Sequence, residues 1–105
     1  MEIVYASLKR RQPGATAAEV NEAAEAVDAL WAHAEPGDGL QHASALPASD
    51  RIDLLLYLLT RDAPGQPDAV SRAHHLICRS HRTSPLLHRC YLPPEPPESP
   101  DHVVG

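Results

Sequence analysis

The chain has 105 residues, of which 43% are hydrophobic and 22% charged, and its formal net charge is −5. This length suits a single domain, and the composition excludes wholesale disorder. The acidic balance argues against broad binding to nucleic-acid phosphates, and the longest unbroken apolar run, Leu54–Leu59, is far shorter than a membrane span. Met1–Val4 lacks the features of a secretory signal, so we expect a cytoplasmic protein.

The first half of the chain predicts a strand, a helix and a second strand. Val, Ile and Tyr alternate in residues 1–8, a pattern typical of a strand. Thr16 and Glu19 have the spacing of a capping box, and apolar residues then recur at helical spacing, which predicts a helix over residues 17–34. Residues 40–46 lie between turn signals and predict an edge strand.

The second half opens with an apolar run, residues 52–59, that fits two structures. Its leucines favour a helix over residues 50–61, whereas the neighbouring elements favour a central strand, and we predict the strand. Apolar residues at helical spacing then predict a second helix over residues 68–82. Residues 86–92 alternate well enough to predict a last strand, and residues 93–105 form a Pro-rich, acidic, flexible tail.

Strand, helix, strand, strand, helix, strand is the order of the ferredoxin-like βαββαβ fold. We therefore predict an α+β domain over residues 1–92, with a four-stranded antiparallel sheet in the order 4-1-3-2 and two helices on one face. The expected core is aliphatic and combines inward strand positions with the helix stripes: Val4, Ala6, Leu8, Trp31, Ile52, Leu54, Leu56, Leu58, Val70, Ala73 and Ile77.

Three stretches of the chain carry a resemblance to a known group of proteins. Arg51–Leu59, the helix ending in His74–Arg79, and Ser84–Leu87 resemble small uncharacterised ferredoxin-like proteins of high-GC bacteria. The resemblance covers residues 1–92 and implies the same fold, including the strand at residues 52–59. Its motifs are structural, so it implies no activity.

The open face of the predicted sheet is the first candidate site. If the even-numbered residues of the central strands face the helices, an apolar set faces outward: Ile3, Tyr5, Leu55, Tyr57 and Leu59. Such a patch marks an interface in a small protein, so we expect a homodimer or a protein partner. Tyr5 and Tyr57 also occupy positions where RNA-recognition domains of this fold stack bases. The basic signature of those domains is absent, so we expect no nucleic acid.

A second candidate is a metal site on the second helix. His74, Cys78 and His81 are spaced to lie on one stripe, and His88 or Cys90 could complete a zinc or copper site. No paired-cysteine motif is present, and nearby arginines oppose a cation. We therefore predict neither a metal nor a cofactor.

No catalytic constellation stands out in the sequence, since the serines lie outside any nucleophile elbow and the glycines form no phosphate loop. We predict a small non-catalytic accessory module that acts through protein contacts at the open sheet face. The alternative is a dimeric ferredoxin-like enzyme or small-ligand-binding protein, with a cavity at the sheet face and one or two histidines as acid or base.

Overall fold

The structure is a computed structural model that describes residues 1–12, 21–61, 65 and 67–95. It belongs to the α+β class. The helices and strands follow in chain order as β1 (Glu2–Lys9), α1 (Glu22–His33), β2 (Leu40–Pro47), β3 (Arg51–Leu58), α2 (Ala69–Thr83) and α3 (Pro85–Cys90). A single turn of 3-10 helix, Pro36–Asp38, joins α1 to β2.

The described strands form one antiparallel sheet in the order β1-β3-β2. The central strand β3 pairs with β1 on one side, where Val4 lies opposite Leu56, and with β2 on the other, where Ala43 lies opposite the same residue. The prediction of a strand rather than a helix at residues 52–59 is therefore confirmed. Main-chain pairing on both edges outweighs the helical preference of its leucines.

The predicted four-stranded ferredoxin-like fold is wrong, because the described chain has three strands and three α-helices. Residues 86–92, expected to be the fourth strand, lie largely in the helix α3. The Ser84 hydroxyl accepts a hydrogen bond from the Leu87 N–H at 3.3 Å, and Pro85 occupies the first turn, where its missing N–H costs nothing. With no fourth strand beside it in the described part of the chain, β1 is an edge strand rather than a central one.

The described part of α1 begins later than predicted. Asn21 is the N-cap residue, and its side-chain oxygen accepts a hydrogen bond from the Ala24 N–H at 3.2 Å. Thr16 and Glu19, the predicted capping box, lie outside the described residues.

The hydrophobic core lies between the helices and the even-numbered face of β3, whose four inward side chains are at most 1% exposed. Trp31 and Val70, which the sequence placed in the core, are instead 45% and 47% exposed. The helix α1 buries its small residues Ala26 and Ala29 together with Leu30, which turns the next side chain, Trp31, toward solvent.

A buried polar group ties β1 to α1 and to the end of α3. The Arg10 guanidinium lies 2.9 Å from the Glu22 carboxylate, and both side chains are almost fully buried. The Tyr91 hydroxyl donates to the same carboxylate, and the Tyr91 ring lies 5.3 Å from the guanidinium carbon. Burial, followed by the hydrogen bond to Glu22, raises the pKa of Tyr91.

Candidate functional site

The sheet face away from the helices carries an apolar centre, which we call the open face and define by Ile3, Tyr5, Leu46, Leu55 and Tyr57. Ile3 and Tyr5 are 61% and 64% exposed, whereas Leu55 and Tyr57 on the central strand are half-buried by their neighbours. Pairing aligns Ile3 with Tyr57 and Tyr5 with Leu55, so these four side chains occupy two adjacent rows. The structure thus brings together four of the five predicted residues.

Leu59, the fifth predicted residue, lies just beyond the end of β3. Its N–H donates to the Gly39 carbonyl at 2.8 Å, and it is 41% exposed. It therefore borders the open face at one end of the sheet rather than lying in its centre.

The sequence interpretation missed two contributors to the open face, both on β2. Leu46 is 69% exposed opposite Asp53, and the His42 ring lies edge-on to Tyr57, with ring centroids 5.5 Å apart. The alternation of the edge strand could have placed both residues outward, but its register against β3 shifts between Leu40 and His42. That irregularity has no signal in the sequence.

Charged side chains on the open face lie at one end and compensate one another. The Asp53 carboxylate accepts hydrogen bonds from the Ser7 hydroxyl at 2.7 Å and from Arg51 Nε at 2.9 Å. The hydrogen bond from Ser7, followed by one from the Tyr5 hydroxyl and with a smaller contribution from Arg51, lowers the pKa of Asp53. Arg51 also contacts the Asp50 carboxylate at 2.9 Å. Tyr5 therefore contacts this ionic cluster at the boundary of the two apolar rows.

The three metal candidates on α2 do not converge. Cys78 Sγ lies 3.3 Å from His74 Nε2, but His81 is buried and its Nε2 donates to the Tyr91 carbonyl at 2.8 Å. Burial raises the pKa of the Cys78 thiol and lowers that of His74, so the pair is a neutral thiol beside a neutral imidazole. Within the described residues, no group of three His, Cys, Asp or Glu side chains could hold a metal ion.

A groove of about 1000 Å³ runs along the outer edge of β1. Tyr5 and Ser7 line it on the strand side, Val70 and His74 on the α2 side, and residues 92–95 close one end. Its lining includes Tyr5 of the open face and His74, but neither Tyr57 nor Leu59.

Comparisons with known proteins add no identity to these observations. No protein-family model, curated protein or solved structure matches the chain. The resemblance to ferredoxin-like proteins of high-GC bacteria thus stays a prediction. Among the described residues, no helix has the length and apolar character needed to cross a membrane.

Proposed function

We propose that the chain is a non-catalytic binding module that pairs with a second copy of itself through the open face. The observation that carries the proposal is the pair of apolar rows formed by Ile3 with Tyr57 and Tyr5 with Leu55. Small monomeric proteins rarely leave such a contiguous patch in water. All the described helices lie on the other side of the sheet and leave these rows uncovered.

A second copy is the occupant that the shape and charge of the open face favour. Two flat sheets pack face to face with interdigitating side chains. A twofold axis then places the apolar centre of one copy against the same apolar centre of the other. The ionic cluster around Asp53 lies at one end, so a pair centred on Leu55 keeps it at the rim in both copies.

The size of the open face sets the expected strength of the pair. Three strands of eight residues span roughly 14 Å by 26 Å, at spacings of about 4.8 Å and 3.3 Å. That area is roughly half of the ~800 Å² per partner that a standard interface buries. We therefore expect a weak dimer, with a Kd on the order of micromolar.

The experiment is sedimentation equilibrium of the wild type and of the variant Leu55→Asp. The substitution puts an unpaired charge at the centre of the face, so we expect the dimer to dissociate. Because Leu55 is half-buried, Tyr5→Asp provides a second test at a position that is 64% exposed and outside the core. Trp31→Asp on α1 is the matched control, since Trp31 is exposed but lies away from the open face.

Two outcomes would contradict the proposal. One is a wild-type chain that stays monomeric at high micromolar concentration. The other is a dimer that survives both aspartates on the open face but is lost with Trp31→Asp.

A further inference from the structure

The outer edge of β1 is paired at one end only. Leu92 N–H donates to the Lys9 carbonyl at 2.8 Å, and Arg11 N–H donates to the Cys90 carbonyl at 3.0 Å, around an antiparallel bridge between Arg10 and Tyr91. The chain's own residues thus begin a fourth strand against β1. Pro93 and Pro94 follow at once, and because proline has no N–H, neither can donate the next hydrogen bond to β1.

The rest of this edge keeps unused main-chain groups. Arg10 N–H points inward to the Asp50 carbonyl, whereas the Lys9 carbonyl points outward. Alternation along an antiparallel strand then turns the N–H and C=O groups of Ile3, Tyr5 and Ser7 outward. Among the described residues, none outside the sheet forms a hydrogen bond to these groups.

The groove beside this edge has the form of an empty strand position. Its wall on the α2 side is formed by the small or branched apolar residues Val70, Ala73 and Ile77, together with His74. An added strand would turn every second side chain onto this wall, so small apolar residues suit those positions. The cavity of about 1000 Å³ is large enough for a short extended segment.

The position of α2 beside the groove disfavours a second copy as its occupant. Four side chains of α2 line the space in which a fourth strand would lie. A second copy that paired β1 to β1 would bring its own α2 into the same space. A lone extended segment carries no such helix and meets no such clash.

The charges at the Lys9 end of the groove are already paired within the chain, so an uncharged segment suits it. Lys9 Nζ lies 3.2 Å from the Glu95 carboxylate, and Arg51 contacts the Asp50 and Asp53 carboxylates at 2.9 Å each. Arg10, the third cation of the lining, is buried against Glu22.

We propose that the outer edge of β1 binds an extended segment of a partner polypeptide as an antiparallel fourth strand. The segment is uncharged and has small apolar residues at alternate positions facing α2. Main-chain hydrogen bonds to Ile3, Tyr5 and Ser7 supply affinity, and the α2 wall supplies specificity, as in strand addition generally. This site shares Tyr5 with the open face but uses the main-chain edge of β1, so the proposal does not depend on the dimer.

The test uses the full chain and a fluorescein-labelled, acetylated and amidated peptide in which valine and threonine alternate. Fluorescence anisotropy should show saturable binding. Two N-methylated forms of the peptide, each blocked at every second amide, probe the main chain. We expect the form blocked at the edge-facing amides to lose at least about tenfold in affinity and the other form to keep it.

Two protein variants locate the binding. Val70→Arg places a long charged side chain in the groove at a 47% exposed position, so it should weaken binding by at least about tenfold without unfolding the chain. His75→Arg is the matched control, because His75 is exposed on the same helix and does not line the groove.

Four outcomes would overturn the proposal. The first is the absence of saturable binding by the peptide up to millimolar concentration, and the second is equal loss with both N-methylated forms. The third is binding only by a control peptide with the sequence of residues 96–105, which would assign the groove to the chain's own tail. The fourth is a change from dimer to monomer in Val70→Arg, which would assign it to a second copy. Loss of the dimer in Leu55→Asp with peptide binding intact would separate this site from the open face.

Discussion

Glu22 is the counter-charge of the buried Arg10. Sequence patterning alone places Glu22 on the solvated face of its helix. Its carboxylate and the Arg10 guanidinium are 7% and 5% exposed, and the Tyr91 hydroxyl donates to the same carboxylate. A helical wheel shows only one acidic residue among several, because the partners lie 12 and 69 positions away in the chain. Burial of this group could not be predicted without the tertiary structure.

Replacing Glu22 by glutamine should destabilise the fold strongly. The substitution keeps the shape but leaves the buried Arg10 without a counter-charge, which costs about 3 kcal/mol. Urea denaturation measures the free energy of unfolding. Glu25→Gln is the matched control, because Glu25 is an exposed acid in the same first turn, and its loss should cost less than about 0.5 kcal/mol. Equal losses of unfolding free energy in Glu22→Gln and Glu25→Gln would contradict the buried pair of Arg10 and Glu22.

A second prediction at the residue scale concerns His74 and the pH dependence of the free energy of unfolding. Burial, with a smaller contribution from the charge of His75, lowers the pKa of His74. As the pH falls below about 6.5, the unfolded chain binds a proton at this residue before the folded chain does, so the free energy of unfolding falls. NMR titration of the imidazole should give a midpoint below that value, and His75→Gln should raise it. A midpoint at or above the ordinary value would contradict the structure.

The element that sequence reasoning assigned wrongly is α3. As a strand, the segment would turn Leu86 and Leu87 to opposite faces, yet both are buried, which a helix packed against α2 allows. Ser84 as N-cap and Pro85 in the first turn are local signals of a helix, whereas the alternation of residues 86–92 predicted a strand. At β3 the local signals disagree with the structure, because pairing on both edges overrides the helical preference of the leucines.

A helix at α3 predicts a pattern of losses in unfolding free energy that a strand would not produce. Leu86→Ala and Leu87→Ala should each lower the free energy of unfolding by about 2–4 kcal/mol, because adjacent positions are both buried. His88→Ala, at an exposed position two residues from Leu86, should have little effect. Chemical denaturation compares the three variants. A strand would give Leu86 and His88 similar environments, so comparable losses at those two positions would contradict the helix.

Period-two alternation was enough to predict most of the open face. It placed Ile3, Tyr5, Leu55 and Tyr57 outward, as the structure does. The groove beside β1 could not be predicted in this way. It exists because residues 85–90 form a helix and leave the strand position open, and because Pro93 and Pro94 stop the pairing that Leu92 begins.

At the scale of the whole molecule, the proposed dimer should respond little to salt. Its apolar rows contain no ionised pair, and the ionic cluster around Asp53 is compensated within one copy. Raising NaCl from about 0.1 M to about 0.5 M should therefore leave the dimer Kd within about threefold, whereas contacts between charged faces weaken as salt screens them. Sedimentation equilibrium across the series measures this. Dissociation on adding salt would indicate a charged interface elsewhere on the surface.

The most direct measurement is an isotope-filtered NOE experiment on a mixture of labelled and unlabelled chain at millimolar concentration. It detects only contacts between different copies, so it reports which surface lies in the dimer. Pairing through the open face predicts intermolecular NOEs from the Leu55 methyl groups to the Tyr5 and Tyr57 rings. Intermolecular NOEs that come instead from Val70 and His74, or none at all, would contradict it.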